Sequence, residues 1–485
     1  MRRLLALLLT GATLAGCTLE PHYVRQAPAA PLTWPVGAAY PATEAPPLPS
    51  VSYRDVFRDP HLGAIIEQAI ANNQDLRIAL ANVTIARSQY RVQRAELLPR
   101  IEASAGATQA RSQARGPGAV SPSSGAVAAS PQTSRSYDAN LGFSSFEIDL
   151  FGRLRSLSHA AQQQYLASEA GVHAARLTLV SEVADAYLTL ATDRSLLAVA
   201  GDTVTSARRS VDLTQARLSG GVAPRTDLRQ AQTVLEQANS DVADLTAVVA
   251  QDRNALELLV GATVSDADLP ALIESVDGLL AEVPAGLDSR ILLRRPDVVQ
   301  AEYRLRAANA QIGAARANFF PTISLTALAG AASPALGALF KGKTFTWTAS
   351  GAASQTIFAG GANIANLALA KGQRDLAVAQ YQQAIQTAFR EVADALARRG
   401  TINDQMAAQN NLVAAANDEY VLEQARYNQG IDPFLNSLEA QRTLYAARRA
   451  LASTRLIKAD NLVTLYRTLG GDQLIDAAPA PTPTR

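Results

Sequence analysis

Residues 337 to 344 read GALFKGKT and fit G-x-x-x-x-G-K-[ST], the loop whose amides and lysine cradle nucleotide phosphates. That chemistry needs a strand before the loop and a helix after it, so that helix N-terminal N–H groups meet the phosphate. Here both flanks alternate apolar and polar residues with period two, and Thr344 opens a second strand-like run, TFTWTASGAASQTIF. The stretch therefore reads as a β-hairpin loop. Other reactive groups are sparse. His159 and His173 stand fourteen residues apart on one helical stretch, about four turns, and read as solvated surface residues. A single cysteine excludes an internal disulfide, and neither a cofactor nor a metal is called for. No enzymatic activity is expected.

That cysteine is placed where it matters. Arg2 and Arg3 precede the apolar run LLALLLTGATLAG, which ends at Cys17 and is too short to remain as a spanning helix. LAGC, Leu14 to Cys17, resembles the lipobox of bacterial lipoproteins, in which the cysteine is acylated and becomes the mature N-terminus. Residues 1–16 then form a signal peptide, and Thr18 in place of an aspartate implies sorting to the outer membrane. A proline-rich lipidated segment, 17–61, follows and is expected to be extended rather than packed. The 44 basic and 43 acidic residues balance without a basic run, which argues against nucleic acid as a partner.

The rest is one unit used twice. EVADA occurs at Glu182–Ala186 and Glu391–Ala395, and the same offset of 209 pairs QARLSGGVAP with QARYNQGIDP and Gly261 with Gly470. Upstream the offset is 222, matching Asp75 with Asp297, Ala95 with Ala317 and Pro99 with Pro321. The first copy is thus thirteen residues longer, and the Gly/Ser/Ala/Pro stretch 111–136 is where a long loop would hold them. Repeat 1 spans 62–261, a linker 262–288 and repeat 2 289–470, and 471–485 is expected to be a disordered tail.

Each copy shows the same order. A helix (about 62–98, then 289–319) leads into two strands, expected at about 100–110 and 137–150, then 321–330 and 344–358. A proline-free stretch follows, then a Gly/Pro turn and a return helix. An unbroken helix from about 153 to 219 would be roughly 100 Å long. The return helix of copy one carries a heptad seam at Leu228, Ala231, Leu235, Ala238, Val242, Leu245, Val249, Leu256 and Leu259, broken by Asp252. Copy two repeats it at Ala440, Leu444, Ala447 and Leu451, then turns polar. The strands alternate cleanly, with Phe345, Trp347 and Ala349 against Thr346, Thr348 and Ser350, and Tyr137, Ala139, Leu141 and Phe143 against Asp138, Asn140 and Ser144. Such strands suit a lipid-facing, water-lined barrel. Four strands cannot close one, since the smallest such barrels have eight. Three chains would supply twelve.

The segments FRDPHLGAIIEQAIANNQDLRIALANV, YRVQRAELLP, FEIDLFGRLRS, RRPDVVQAEYRLRAANAQIGAARANFFP and RYNQGIDPFLNSLEAQRTLYAARRALA, in this order behind the lipobox, resemble the TolC-like outer membrane factors. The likeness is to their lipoprotein (NodT/OprM-like) branch, the outer membrane channels of tripartite efflux pumps, and covers essentially the whole mature chain. It implies a mainly α protein with β: duplicated coiled-coil hairpins forming a periplasmic α-barrel, and four strands per chain in a trimeric twelve-stranded outer-membrane barrel. It also implies passive conduction of drugs or other small toxic compounds, a periplasmic adaptor (membrane fusion protein) and an inner-membrane transporter of the resistance-nodulation-division (RND) type. A duct for an ABC-type secretion or metal export system, and a purely structural periplasmic tether, are the competing readings.

The resemblance further implies that the turns farthest from the membrane close the pore and dock the adaptor. It assigns docking to Arg217, Gly220, Gly221 and Pro224 in copy one and to Arg426, Tyr427, Gly430 and Pro433 in copy two. It implies a gate at Leu435, Asn436, Glu439 and Arg442 with Asp227 and Asp432. The archetype's closing arginine is replaced here by Asp432, and one of its selectivity aspartates by Asn436. An Asp227–Asp432 pair cannot be a salt bridge, so closure is expected to rest on Leu435 and on the charges of Glu439 and Arg442.

Overall fold

The computed structural model describes residues 18–25, 27, 30–31, 33–40, 53–112, 132–276, 280 and 289–471. Cys17, the signal peptide, most of the 111–136 stretch, much of the linker and the tail lie outside them. The chain divides into two units. One comprises residues up to 25 with 85–165 and 303–378; the other comprises 26–84, 166–302 and 379–485.

The first unit holds a four-stranded antiparallel meander, β1 (Glu102–Ser112), β2 (Gln132–Ile148), β3 (Thr322–Ser333) and β4 (Phe345–Ser354), in that spatial order. The β1–β2 hairpin reaches further than expected: Arg111 pairs with Thr133 and Ser112 with Gln132, so both ends of the stretch read as loop are strand. The polar side chains of Arg111, Thr133 and Ser134 are exposed and so do not oppose backbone pairing there. GALFKGKT lies between β3 and β4, with a short 3-10 turn at Leu336–Ala338 and no helix after it.

Register aligns one apolar face across all four strands. Ala105, Ala139, Ala331 and Phe345 form one row, and Ala103, Leu141, Ala329 and Trp347 the next. The alternate row, Ser104, Asn140, Gly330 and Thr346, carries polar groups. A bulge between Phe143 and Phe146, with Ser145 left-handed at φ 56°, inserts one extra residue into β2. It shifts the parity, so that Phe146 and Ile148 stay on the apolar face opposite Leu325 and Ile323. Without it both would cross to the polar side.

The second unit is helical. α1 (Tyr53–Val56) leads into α2 (Pro60–Asn72) and α3 (Gln74–Ala95). One helix was expected over 62–98; it breaks at Asn73, whose ψ of 133° is extended. The side chain makes the break worth keeping: Asn73 Oδ1 accepts from Leu76 N at 2.9 Å, and Nδ2 donates to Leu259 O at 2.8 Å. In copy two the equivalent residue is Arg295, between a 3-10 turn (Ser289–Arg294) and α7 (Pro296–Ala317), numbering the linker helix Ile273–Val276 as α6. Arg295 Nη1 donates to Thr468 O at 3.0 Å. Leu259 and Thr468 are themselves repeat mates, so the duplicated contact survived an Asn-to-Arg difference.

α4 (Arg153–Ser219) and α5 (Arg225–Val260) form the first hairpin, α8 (Ala362–Asn428) and α9 (Phe434–Thr468) the second. Buried α4 alanines recur at sevens, 160 and 167, 184 and 191, 200 and 207. Such small residues let neighbouring helices approach closely. On α5, Leu228, Ala231, Ala238, Leu245 and Leu256 of the expected seam are buried. In α9 the seam continues past Leu451 by absorbing polar residues: Thr454 donates back to Ala450 O, and Asn461 Nδ2 to Ala395 O at 2.9 Å. α5 ends on Gly261, at φ 70°, where a Cβ would lie 2.8 Å from Asn72 O. The linker docks on α4 through Ser195, which donates to Glu274 at 2.8 Å and accepts from Ile273 N at 2.9 Å.

Two expectations are overturned. The described parts of the proline-rich leader are packed: Trp34 stacks on Phe389 with ring centres 5.0 Å apart, and Tyr53, Val56 and Phe57, the first two in α1, are buried. Within the first unit, His159 is not simply solvated. Its Nδ1 meets the Glu20 carboxylate at 3.0 Å, and the same leader segment presents Leu19 O to Arg316 and Pro21 O to Asn309. His173 is exposed.

Candidate functional site

Both hairpin turns are built alike. In the first, Val222 N donates to Arg217 O at 2.9 Å and Gly221 N to Leu218 O at 3.0 Å, with Gly221 at φ 73°. In the second, Ile431 N donates to Arg426 O at 2.9 Å and Gly430 N to Tyr427 O at 2.9 Å, with Gly430 at φ 74°. These are Schellman closures with glycine at the left-handed position. Pro224 and Pro433 then stand at the N-caps of α5 and α9. Gly220 continues the first turn, accepting no strain at negative φ.

A buried cluster of Ala207, Ala231, Val234, Tyr427, Phe434 and Leu438 draws on both hairpins. Tyr427 and Phe434 pack with ring centres 5.2 Å apart. Burial pushes the Tyr427 hydroxyl's pKa up, while the neighbouring Arg217 guanidinium pulls the other way. Polar contacts also cross between the hairpins near these turns. Arg217 Nη2 donates to Tyr427 O at 2.8 Å and Asn428 O at 2.9 Å, its guanidinium 4.2 Å above the Tyr427 ring. Gln441 donates to Ser206 Oγ at 2.8 Å, and Tyr445 Oη to Asp241 at 2.6 Å. Burial, then the bond to Asp241, pushes Tyr445 up to about 12.

The gate candidates separate by face. Phe434, Ser437, Leu438 and Gln441 face inward, whereas Leu435, Glu439 and Arg442 form an i, i+4, i+7 stripe directed away from the chain's own packing. Leu435 is 46% exposed. The side chains of Glu439 and Arg442 make no hydrogen bond or ion pair among the described residues. Asn436 is exposed beside them. Asp227 is half-buried in the first turn of α5, where a carboxylate complements the helix dipole. Asp432 is bonded by both oxygens to Arg426, one at 3.1 Å, and that hydrogen bond holds its carboxyl below the usual range. The Arg217 reach was not foreseen, since a turn arginine carries no sign of which carbonyl it will find.

Two acid pairs also escaped the sequence reading, although Asp252 had marked one as the break in the seam. Burial, then the bond to Asp252, pushes Asp193 up to about 6. Burial, then Asp460, pushes Asp185 up to about 7. No group of three or more His, Cys, Asp or Glu side chains is placed to hold a metal among the described residues.

A four-stranded sheet with an apolar face and, among the described residues, two unpaired edges, on a chain whose other elements are coiled-coil hairpins of up to 67 residues per helix, has the architecture of an outer-membrane duct. The comparisons agree. The family model for outer membrane efflux proteins matches residues 65–262 and 287–471, and the chain belongs to that family. It is 43% identical, over 97% of its length and 96% of the relative's, to the antibiotic efflux pump outer membrane protein ArpC of Pseudomonas putida. Identity and coverage are the same for the toluene efflux pump outer membrane protein TtgC of the same species. The open-state MtrE outer membrane channel of Neisseria gonorrhoeae superposes with a TM-score of 0.79 at 34% identity, covering 94% of this chain and 99% of that one. The chain is thus an outer membrane channel of an efflux pump. No helix among the described residues is long and apolar enough to cross a membrane.

Proposed function

We propose that three copies close a twelve-stranded barrel and act as a passive, non-catalytic conduit for small toxic compounds. The carrying observation is the sheet: its apolar face runs unbroken across four strands, and each edge needs a partner strand inside a bilayer. Antibiotics and apolar solvents such as toluene are the cargo classes, by the names of ArpC and TtgC. An inner-membrane RND transporter supplies the energy, and a periplasmic adaptor joins it to the two turns. Acylation of Cys17 adds a second anchor. Leu435, Glu439 and Arg442 line the mouth, with Asn436 and Asp227 beside them. Three exposed carboxylates in a narrow ring would favour cations.

Crosslinking in intact cells followed by purification tests the assembly. Recovery of an adaptor with an RND pump supports it, recovery of an ABC exporter moves the duct to secretion, and recovery of neither sinks it. Leu435→Ala combined with Glu439→Ala should raise resting conductance in planar bilayers. Labelled palmitate should be lost from Cys17→Ser, and retained label would remove the lipid anchor from the scheme.

A further inference from the structure

The duplication places an arginine in the last turn of each hairpin's first strut, Arg217 and Arg426, offset by the same 209 residues. Their surroundings differ. Arg426 is held within its own turn by Asp432, through Nε and through Nη2 at 3.1 Å. The residue equivalent to Asp432 in the first turn is Ala223, which offers nothing to bind. Arg217, with no acid at home, extends instead to the other hairpin. There it meets two carbonyls at the helix end at 2.8 and 2.9 Å: that of Tyr427, which also accepts from Gly430 N inside its own turn, and that of Asn428. Its guanidinium also covers the Tyr427 ring, itself 3% exposed, at 4.2 Å. Cation–π stacking and hydrogen bonds to a helix C-terminus both favour a planar cation at this spot.

We propose that Arg217 is a latch joining the two turns of each chain at the pore mouth, and that the Ala223/Asp432 difference decides which of the duplicated arginines serves as it. Any widening that draws the second turn away from the first must break both carbonyl bonds and unstack Tyr427. Arg217 is a positioning residue: it contacts no cargo and acts through the backbone of α8. Asp432, which among the described residues bonds to Arg426 in its own turn and makes no hydrogen bond or ion pair with the first hairpin, works by keeping Arg426 from competing for other acceptors. The proposal rests on the reading of these turns as the mouth.

The test is single-channel conductance of purified trimers in planar bilayers, with trimer retention and helix content measured for each variant. Arg217→Ala should raise the resting conductance or open probability severalfold. Arg217→Lys, which keeps a charge able to reach one carbonyl but loses the planar stack, should fall between. Ala223→Asp should reproduce Arg217→Ala while leaving the arginine in place, by giving it the in-turn acid that Arg426 already has. An Asp-Pro step is accommodated in the repeat-related turn, so this substitution is expected to fold. The double variant Arg217→Ala/Ala223→Asp should add nothing further. Wild-type conductance from intact Arg217→Ala trimers overturns the latch. Raised conductance from Arg217→Ala with wild-type conductance from Ala223→Asp overturns the division of labour between the two arginines. If the Leu435→Ala/Glu439→Ala variant is also unchanged, the failure belongs to the placement of the mouth; if that variant leaks and Arg217→Ala does not, it belongs to the latch alone.

Discussion

Asp185→Asn should stabilise the protein, and more at pH 8 than at pH 5. Asp185 on α4 faces Asp460 on α9, with Glu182 adding to the negative field and Arg467 opposing it. Burial and the second carboxyl push Asp185 up from the usual 3.8 to about 7, and burial also raises Asp460. The pair therefore holds a shared proton in the folded protein at pH values where the unfolded chain has lost it. A carboxyl raised on folding contributes stability that is complete below its unfolded pKa and lost as pH rises through the folded one, here between about 4 and 7. Between these limits the lost stability is at most about 4 kcal/mol, taking 1.36 kcal/mol for each pH step. Nearby solvent and Arg467 reduce it, and we expect a gain of about 2 kcal/mol per chain from the asparagine at pH 8. At pH 5 the native Asp185 still keeps its proton and only the unfolded chain has lost its own, so the amide gains about a third as much there. The amide can also donate to the Asp460 carboxylate, as the shared proton does. Guanidinium unfolding followed by circular dichroism, at both pH values, reads the effect. An equal change at pH 5 and pH 8, or destabilisation at pH 8, would refute the shared-proton account.

Gly261→Ala should cost roughly 1–3 kcal/mol in the same unfolding assay, because it combines a left-handed φ with a Cβ 2.8 Å from Asn72 O. Gly63→Ala, helical and with nothing within 4 Å, should be neutral or gain roughly 0.5–1 kcal/mol and serves as its control. The leader should release at alkaline pH. The Glu20 carboxylate raises the His159 pKa, so the pair's contribution is complete below about 6.5 and fades as pH climbs through the raised value. Limited proteolysis at residues 18–25 should accelerate from pH 5.5 to 8.5, and Glu20→Gln should make cleavage fast and independent of pH. Deleting Ser145 removes the bulge and sends Phe146 and Ile148, or everything before them, to the wrong face. Heat-resistant trimers on gels should disappear, whereas Ser145→Gly, which suits the left-handed backbone, should retain them.

The parts legible in the sequence are those set by periodicity and punctuation. A proline-free stretch bounded by Gly-Gly and Pro gave α4 its length, and alternating residues gave the sheet its two faces. What escaped depends on where a single side chain finds its partner. Asn73 looks like an ordinary helix residue until Leu259 O stands within reach of its amide. Ser145 carries no bulge signature, yet the apolar residues change from odd to even positions between Phe143 and Phe146, and that switch of parity could have been read. Asp252 was visible as a break in the seam, but its meaning lay in Asp193 on the neighbouring helix. The duplication offers a way past this limit. Aligned copies expose positions where the backbone role is shared and the side chain is not, as with Asn73 and Arg295, both bonded to the end of a return helix. Ala223 and Asp432 are another such pair, and there the difference changes what an unchanged arginine does. In a duplicated chain, one copy is the control for the other: identical residues with different partners point to the neighbour that diverged, and that neighbour is where a substitution will alter the coupling between hairpins without touching the fold of either.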